Sequence, residues 1–366
     1  MEDFLRKLQE FLGEADLDGL VRRVETQSLY LGGVTTLSPV SRILLCMLEQ
    51  FQGRACVDIQ VQPPSCPSAI LHWAVMLRLL PQLSEGERNI ISSFPLVTQA
   101  TYGIRVDTAD GHCHLEHIAR DFHRSPDAAM ELAKEGKSPV MGQMRFIVSN
   151  CVYPGSWRKP PTLKDVQVFH TFGVHPRLAE DKDLPWETIE HRVKSVSCVG
   201  IGECGLDDTA GDWGAQLVLF RRQVAMARQF NKVLVLHLRE DRWSGKVFHE
   251  AREVVQDILP RGHQIYLHCY MGDAEDFMKW KTAFPSVVAG FTWKSTLTPH
   301  FQKVAHLVPL ESLAVESDAP LLSPTRDINS PYLIHHQAAA IGHVRNVPTS
   351  VILDASRRNL ERCYLN

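Results

Sequence analysis

From about residue 102 the chain changes period. Short apolar runs begin to alternate with longer amphipathic stretches, a pattern that allows few folds other than helices wrapped on a parallel sheet. Runs near 104–109, 144–149, 168–173, 195–202, 233–236, 264–267, 287–291 and 313–316 read as strands. Eight is the count that closes a βα barrel. The clearest helix lies between the fourth and fifth runs, with Trp213, Leu217, Phe220, Val224 and Ala227 on one side and Arg221, Arg222 and Arg228 elsewhere. The Pro-rich segment 153–162 reads as a loop after the second strand. The expected fold is α/β, a TIM-type (β/α)8 barrel over residues 101–366.

Residues 1–100 have a different character. Phe4, Leu8, Phe11 and Leu12 share one helical face. Val40, Ile43, Leu44, Met47, Leu48 and Phe51 form a second, after Ser38 and Pro39, and Ser84 with Glu87 makes a capping box. These positions predict an additional N-terminal helical domain with no metal cluster or phosphate loop, whose own protein partner the residues do not identify.

A chain of 366 residues that is 44% hydrophobic has material for one large domain and a smaller one. Its 39 Lys and Arg against 42 Asp and Glu leave a net charge of −3, so no global field draws it to nucleic acid or an anionic membrane. Any polyanion must be held locally. Nine cysteines without a CxxC pair suggest free thiols. The first residues are too acidic for a transit peptide, and no stretch has the length of a membrane span. Cytoplasm or nucleus is the expected location.

Polar residues collect where the strands should end. Asp110-Gly-His112-Cys-His114 follows the first, Glu203 the fourth, His237-Leu-Arg239 the fifth, His268-Cys-Tyr270 the sixth and Glu316-Ser-Asp318 the eighth. In a βα barrel those ends meet on one face, which carries the active site. Two histidines one residue apart at a strand end point the same way and can grip one ion. Six candidate ligands exceed one tetrahedral site. Two ions bridged by Glu203 is therefore the expectation, one near His112, His114 and Asp318, the other near His237 and His268. A mixed nitrogen and oxygen set suits zinc or manganese, and an oxygen-richer one magnesium, so the residues leave the metal open.

The ordered set HCHL, GIGECGLD, HLRE, HCYMG and ESDAPLL, with GVHP at 173–176 and NSP at 329–331, resembles the TatD family of metal-dependent deoxyribonucleases over about residues 103–366. The resemblance implies a barrel with a dinuclear centre that hydrolyses phosphodiester bonds in DNA, and by extension RNA, as a 3′-5′ exonuclease. It also implies metal ligation by His112, His114, Glu203, His237, His268 and Asp318, with two divalent ions, Mg²⁺ first and Mn²⁺ or Zn²⁺ as alternatives. Departures are the loop Asp208-Thr209-Ala210, where the family has aromatic residues, Ser317 for a threonine and Tyr270 for a phenylalanine. None touches a ligand.

On this reading Glu203 and Asp318 are the catalytic carboxylates, Glu203 setting the spacing of the ions and Asp318 orienting or deprotonating the attacking water. Arg239 and Lys294 are candidates for phosphate contacts, and His175 for a substrate contact or a loop hydrogen bond. Tyr270 and Trp293 stand where a base can stack, a contact worth roughly 1–3 kcal/mol. Two alternatives remain: a hydrolase of a small amide or lactone on the same barrel, or a scaffold acting through its helical N-terminal domain.

Overall fold

Each of the eight apolar runs becomes a strand, and the strands pair in chain order: β1 (Val106–Cys113), β2 (Met141–Cys151), β3 (Gln167–Phe172), β4 (Cys198–Asp207), β5 (Val233–Arg239), β6 (Ile265–His268), β7 (Val288–Phe291) and β8 (Leu313–Val315). Every ladder is parallel. The computed structural model describes residues 105–365 apart from 135–136, 139, 243, 299, 325–327 and 346. The expected N-terminal helical domain lies outside the described residues. Past β8 the chain returns to β1: the Asp318 N–H donates to the His112 carbonyl at 2.9 Å, and the His114 N–H to the Ala319 carbonyl at 2.7 Å. Those two bonds draw the ends of the eight-stranded sheet together where the ligands lie.

β4 runs further than its apolar run predicts. The expectation placed Glu203 where the strand stops, whereas the strand continues to Asp207 with Glu203 inside it. Gly202 and Gly205 make this possible, at φ +136° and +151°. A Cβ at either position would strike the backbone carbonyl of Val235 or His237, so only glycine lets β4 lie this close to β5. The register against β5 shifts between Ile201 and Cys204, an irregularity of the kind that re-aims side chains beside active sites.

Two apolar layers hold the barrel. Ala109, Phe146, Val148, Val235, Tyr266, Val288 and Ala314 pack together in one cluster, joined by Leu360, Cys363 and Tyr364 of the last helix, Thr349–Tyr364. Residues of alternate strand parity, among them Ile147, Ile201, Leu234, Leu236 and Leu267, pack with Phe220, Val224, Ala251, Val255, Phe277 and Trp280 of the surrounding helices. Full burial of each large side chain is worth about 1.5–3 kcal/mol. None of the described helices is long and apolar enough to cross a membrane.

The helix Trp213–Phe230 does more than cover the sheet. Asp212 caps its start by accepting from the Ala215 N–H at 2.6 Å, and Asn231 ends it at φ 49°. Leu219, Phe220, Val224 and Ala227 are buried, as its periodicity requires, but so are Gln216 and Gln223, seven residues apart on the same stripe. The Gln216 amide accepts from the Asp207 N–H at 2.9 Å and donates to the carbonyls of Asp207 and Ala210 at 3.1 and 2.8 Å. Gln223 closes the same kind of clasp on Val174, at 2.7 and 3.0 Å. One helix thereby fixes the loops that follow β3 and β4.

Candidate metal centre

The strands bring the six candidate ligands to one place. His112 lies within β1 and His114 just past it, Glu203 within β4, His237 within β5, His268 at the end of β6 and Asp318 after β8. Glu203 is at the centre, its two oxygens facing different histidines. Oε1 is 3.8 Å from His112 Nε2 and 3.5 Å from His114 Nε2, while Oε2 is 3.2 Å from His237 Nδ1 and 3.5 Å from His268 Nε2. Asp318 Oδ1 lies 3.7, 3.5 and 3.8 Å from the Nε2 atoms of His112, His114 and His268. His268 thus reaches both sides, and its ring stacks on that of His112 at 3.5 Å. A pairing of His268 with His237 alone is narrower than the arrangement found.

Burial and charge pull these groups in opposite directions. Burial opposes ionisation of Glu203, but His268, His112 and His237 outweigh it and hold the carboxyl well below its usual range. For His268, burial is overcome by Glu316, Asp318 and Glu203, which lift its pKa to about 10. His114 rises to about 9, again against burial, through Asp318 and Glu203. For His112, burial and the neighbouring His268 prevail over the charge of Glu203 and push it well below the ordinary histidine value.

These residues fit divalent ions. Donor atoms held about 2.0–2.2 Å from one ion lie about 3–3.5 Å from one another, close to the separations around each oxygen of Glu203. Both ring nitrogens of His112 and Oδ1 of Asp318 are buried and find no hydrogen-bond partner among the described residues. A buried polar atom left unpaired costs about 1–3 kcal/mol, a cost that a bound ion removes. Ligating atoms fall within 4.8 Å of one another in the groups His112, His114, Asp318; His112, Glu203, His268; and His175, Glu203, His237.

A second ring of residues orients the first. His268 Nδ1 lies 2.9 Å from Glu316 Oε1, and Glu316 also accepts from the Tyr266 hydroxyl at 2.6 Å and the Cys269 N–H at 2.5 Å. His237 Nε2 lies 3.6 Å from Oδ2 of buried Asp207, whose Oδ1 takes two hydrogen bonds from Thr209. His114 Nδ1 pairs with the Asn150 carbonyl at 3.1 Å. Such partners set which nitrogen faces a metal. Sequence reasoning missed Asp207 and Glu316 as site residues. The available signal was parity, since Asp207 lies four residues beyond Glu203 in the same strand and Glu316 two before Asp318.

The candidate substrate residues divide. His175 is buried, with Nδ1 accepting from the Arg177 N–H at 3.1 Å and its ring 4.4 Å from that of His237, which leaves Nε2 for the site. Arg239 shares strand parity with His237, two residues further out, and its guanidinium makes no hydrogen bond or ion pair among the described residues. Lys294 is exposed beyond β7. Trp293 is partly buried with its ring against His336 at 6.1 Å. Tyr270 requires correction: it is 2% exposed, packed among Phe248, Phe277 and Phe291, with its hydroxyl donating to the Asp273 carbonyl at 2.6 Å. A ring enclosed in this way offers no face to a base.

The chain is similar to known proteins in sequence and in fold. The family model described as TatD related DNase matches residues 109–365. An uncharacterized metal-dependent hydrolase of Methanocaldococcus jannaschii, MJ1582, is 25% identical over 257 residues, which are 69% of this chain and 95% of that protein. The 3'-5' RNA nuclease TATDN2 of Homo sapiens is 29% identical over 275 residues, 70% of this chain and 35% of the human protein. The crystal structure of a TatD family hydrolase from Entamoeba histolytica has the same fold, with a TM-score of 0.59 at 14% identity over 72% of this chain and 99% of that one. With its motifs in order on eight parallel strands, this chain belongs to the TatD family of metal-dependent hydrolases.

Proposed function

We propose that the protein is a divalent-metal-dependent nuclease that hydrolyses phosphodiester bonds in DNA, and in RNA, shortening strands from the 3′ end. The observation that carries this reading is the central placement of Glu203, with Oε1 toward His112 and His114 and Oε2 toward His237 and His268. Glu203 and the histidines on its two sides would hold two ions, which when bound would stabilise both the entering and the leaving oxygens of an in-line displacement at phosphorus. The family description and the nuclease name of the human relative support phosphodiesters over small amides or lactones.

Two ions, Mg²⁺ first with Mn²⁺ or Zn²⁺ as alternatives, would be held by His112, His114, Glu203, His237, His268 and Asp318, and when bound supply positive charge to the phosphate oxygens and acidity to water. The protein's own groups do the rest. Glu203 stays ionised and sets the spacing of the two ligand groups. Asp318 is held by its backbone to β1, with Oδ1 unpaired among the described residues, and is placed to accept a proton from the attacking water. Arg239 offers its guanidinium fork to a phosphate oxygen, and His175 Nε2 faces the same space. Lys294 adds charge at the rim. Work on nucleic acid agrees with a cytoplasmic or nuclear location.

The test is cleavage of a single-stranded oligonucleotide, labelled at each end in turn, with Mg²⁺ or Mn²⁺ and with EDTA. Stepwise loss from the 3′ end, abolished by EDTA and by Glu203→Gln in a folded protein, is expected. Absence of cleavage with either metal overturns the reading.

A further inference from the structure

The loops after β2 and β3 place a second polar group set beside the centre, one that the metal ligands do not use. Tyr153, just past β2, is partly buried, and its ring is fixed between His117 and His175. Ring centroids are 6.0 and 6.3 Å apart and the planes lie within 27° and 18° of parallel. Its hydroxyl makes no hydrogen bond among the described residues. Burial raises the phenol's pKa, as do the charges of Glu203 and Asp318 against that of Arg177, so at neutral pH the hydroxyl keeps its proton and can donate. Arg177, from the loop after β3, stands on the same side. Its Nε lies 3.7 Å from Oδ2 of Asp207, which is itself 3.6 Å from the ligand His237. Its side chain is 53% exposed, and Asp207 is the one carboxylate it pairs with among the described residues. Contacts of 3.7, 3.6 and 3.2 Å run from Arg177 through Asp207 and His237 to Glu203, so Arg177 pairs with a residue behind the candidate ligands and with none of the ligands themselves among the described residues.

We propose that Tyr153 and Arg177 form a second phosphate subsite, which takes the phosphodiester next to the scissile one and makes the centre selective for substrates carrying two successive phosphates. The chemistry is complementary. A guanidinium fork and a neutral phenol O–H are both donors, and a phosphate oxygen accepts from both. An uncharged amide or lactone gives the guanidinium no charge to pair with, so the inference rests on the nuclease reading and narrows it to polyphosphodiester strands. The competing role for Arg177 is structural, holding Asp207 and through it His237.

The experiment compares kcat/KM on a short single-stranded oligonucleotide with kcat/KM on bis(4-nitrophenyl) phosphate, which has one phosphodiester and no neighbour. It is run on the full chain loaded with Mn²⁺, for the wild type, Arg177→Gln and Tyr153→Phe, with bound metal measured for each. The subsite predicts that the ratio of the two falls at least tenfold in Arg177→Gln and severalfold in Tyr153→Phe, with the loss in KM for the oligonucleotide. An unchanged ratio in both variants, whether the two activities fall together or stay level, overturns the inference and leaves the nuclease reading standing. A wild type that hydrolyses bis(4-nitrophenyl) phosphate but no oligonucleotide overturns the nuclease reading, and the subsite with it.

Discussion

The side-chain amide of Gln216 grips the peptide of Asp207 from both sides, accepting from its N–H at 2.9 Å and donating to its carbonyl at 3.1 Å. Asp207 in turn lies beside His237, so a helix on the outside of the barrel sets the position of a candidate metal ligand inside it. Gln216→Leu keeps the volume but leaves buried backbone groups unpaired. The expected cost is about 2–4 kcal/mol of stability, read from denaturant unfolding. A loss under about 0.5 kcal/mol would mean that the clasp is incidental.

Glu316 is fully buried and carries the contact to His268 Nδ1, with the Tyr266 hydroxyl and the Cys269 N–H as further donors. Removing its charge in Glu316→Gln should weaken metal binding by about 10–100-fold, the usual effect of losing such a partner. Competition against a chelator of known affinity measures this directly. An affinity within threefold of wild type would separate Glu316 from the centre.

Metal binding should depend on pH. In the metal-free protein His114 titrates at about 9 and His268 at about 10, above the ordinary histidine value, so both hold protons at neutral pH. A metal needs the neutral nitrogen, and loading must release those protons. Apparent affinity is therefore expected to rise about tenfold per pH unit for each ion between pH 7 and 9. Titration of Mn²⁺ into weakly buffered metal-free protein should acidify the solution. The same raised values stabilise the metal-free fold below about pH 6.5, and that contribution is lost as pH climbs through 9 to 10. A metal-free protein that gains stability over that interval would contradict the assignment.

Tyr270→Phe separates packing from substrate contact. It removes the hydroxyl that donates to the Asp273 carbonyl and keeps the ring among Phe248, Phe277 and Phe291. A stability loss of about 1 kcal/mol is expected, with nuclease rates within about twofold of wild type. A tenfold rise in KM for an oligonucleotide, with stability intact, would return Tyr270 to the substrate site.

The sequence by itself determined the barrel and the order of the candidate ligands around it. Apolar runs of strand length between amphipathic helices permit few other folds, and a histidine or carboxylate at a strand end needs no further information to be assigned to one face. Strand limits were less legible, because Gly202 and Gly205 look like the end of β4 when read locally, and only their contact with the β5 backbone makes them the means of continuing it. Tyr270 shows the same limit. An aromatic residue two positions past a candidate ligand has no sequence mark of whether it faces the mouth or the helices, and packing against three phenylalanines decided it. Tertiary structure alone joined Glu316 to His268 and Tyr153 to His175, since each pair comes from different strand ends that meet only when the sheet curves into a barrel, and it alone turned Gln216 of the following helix back onto the Asp207 backbone.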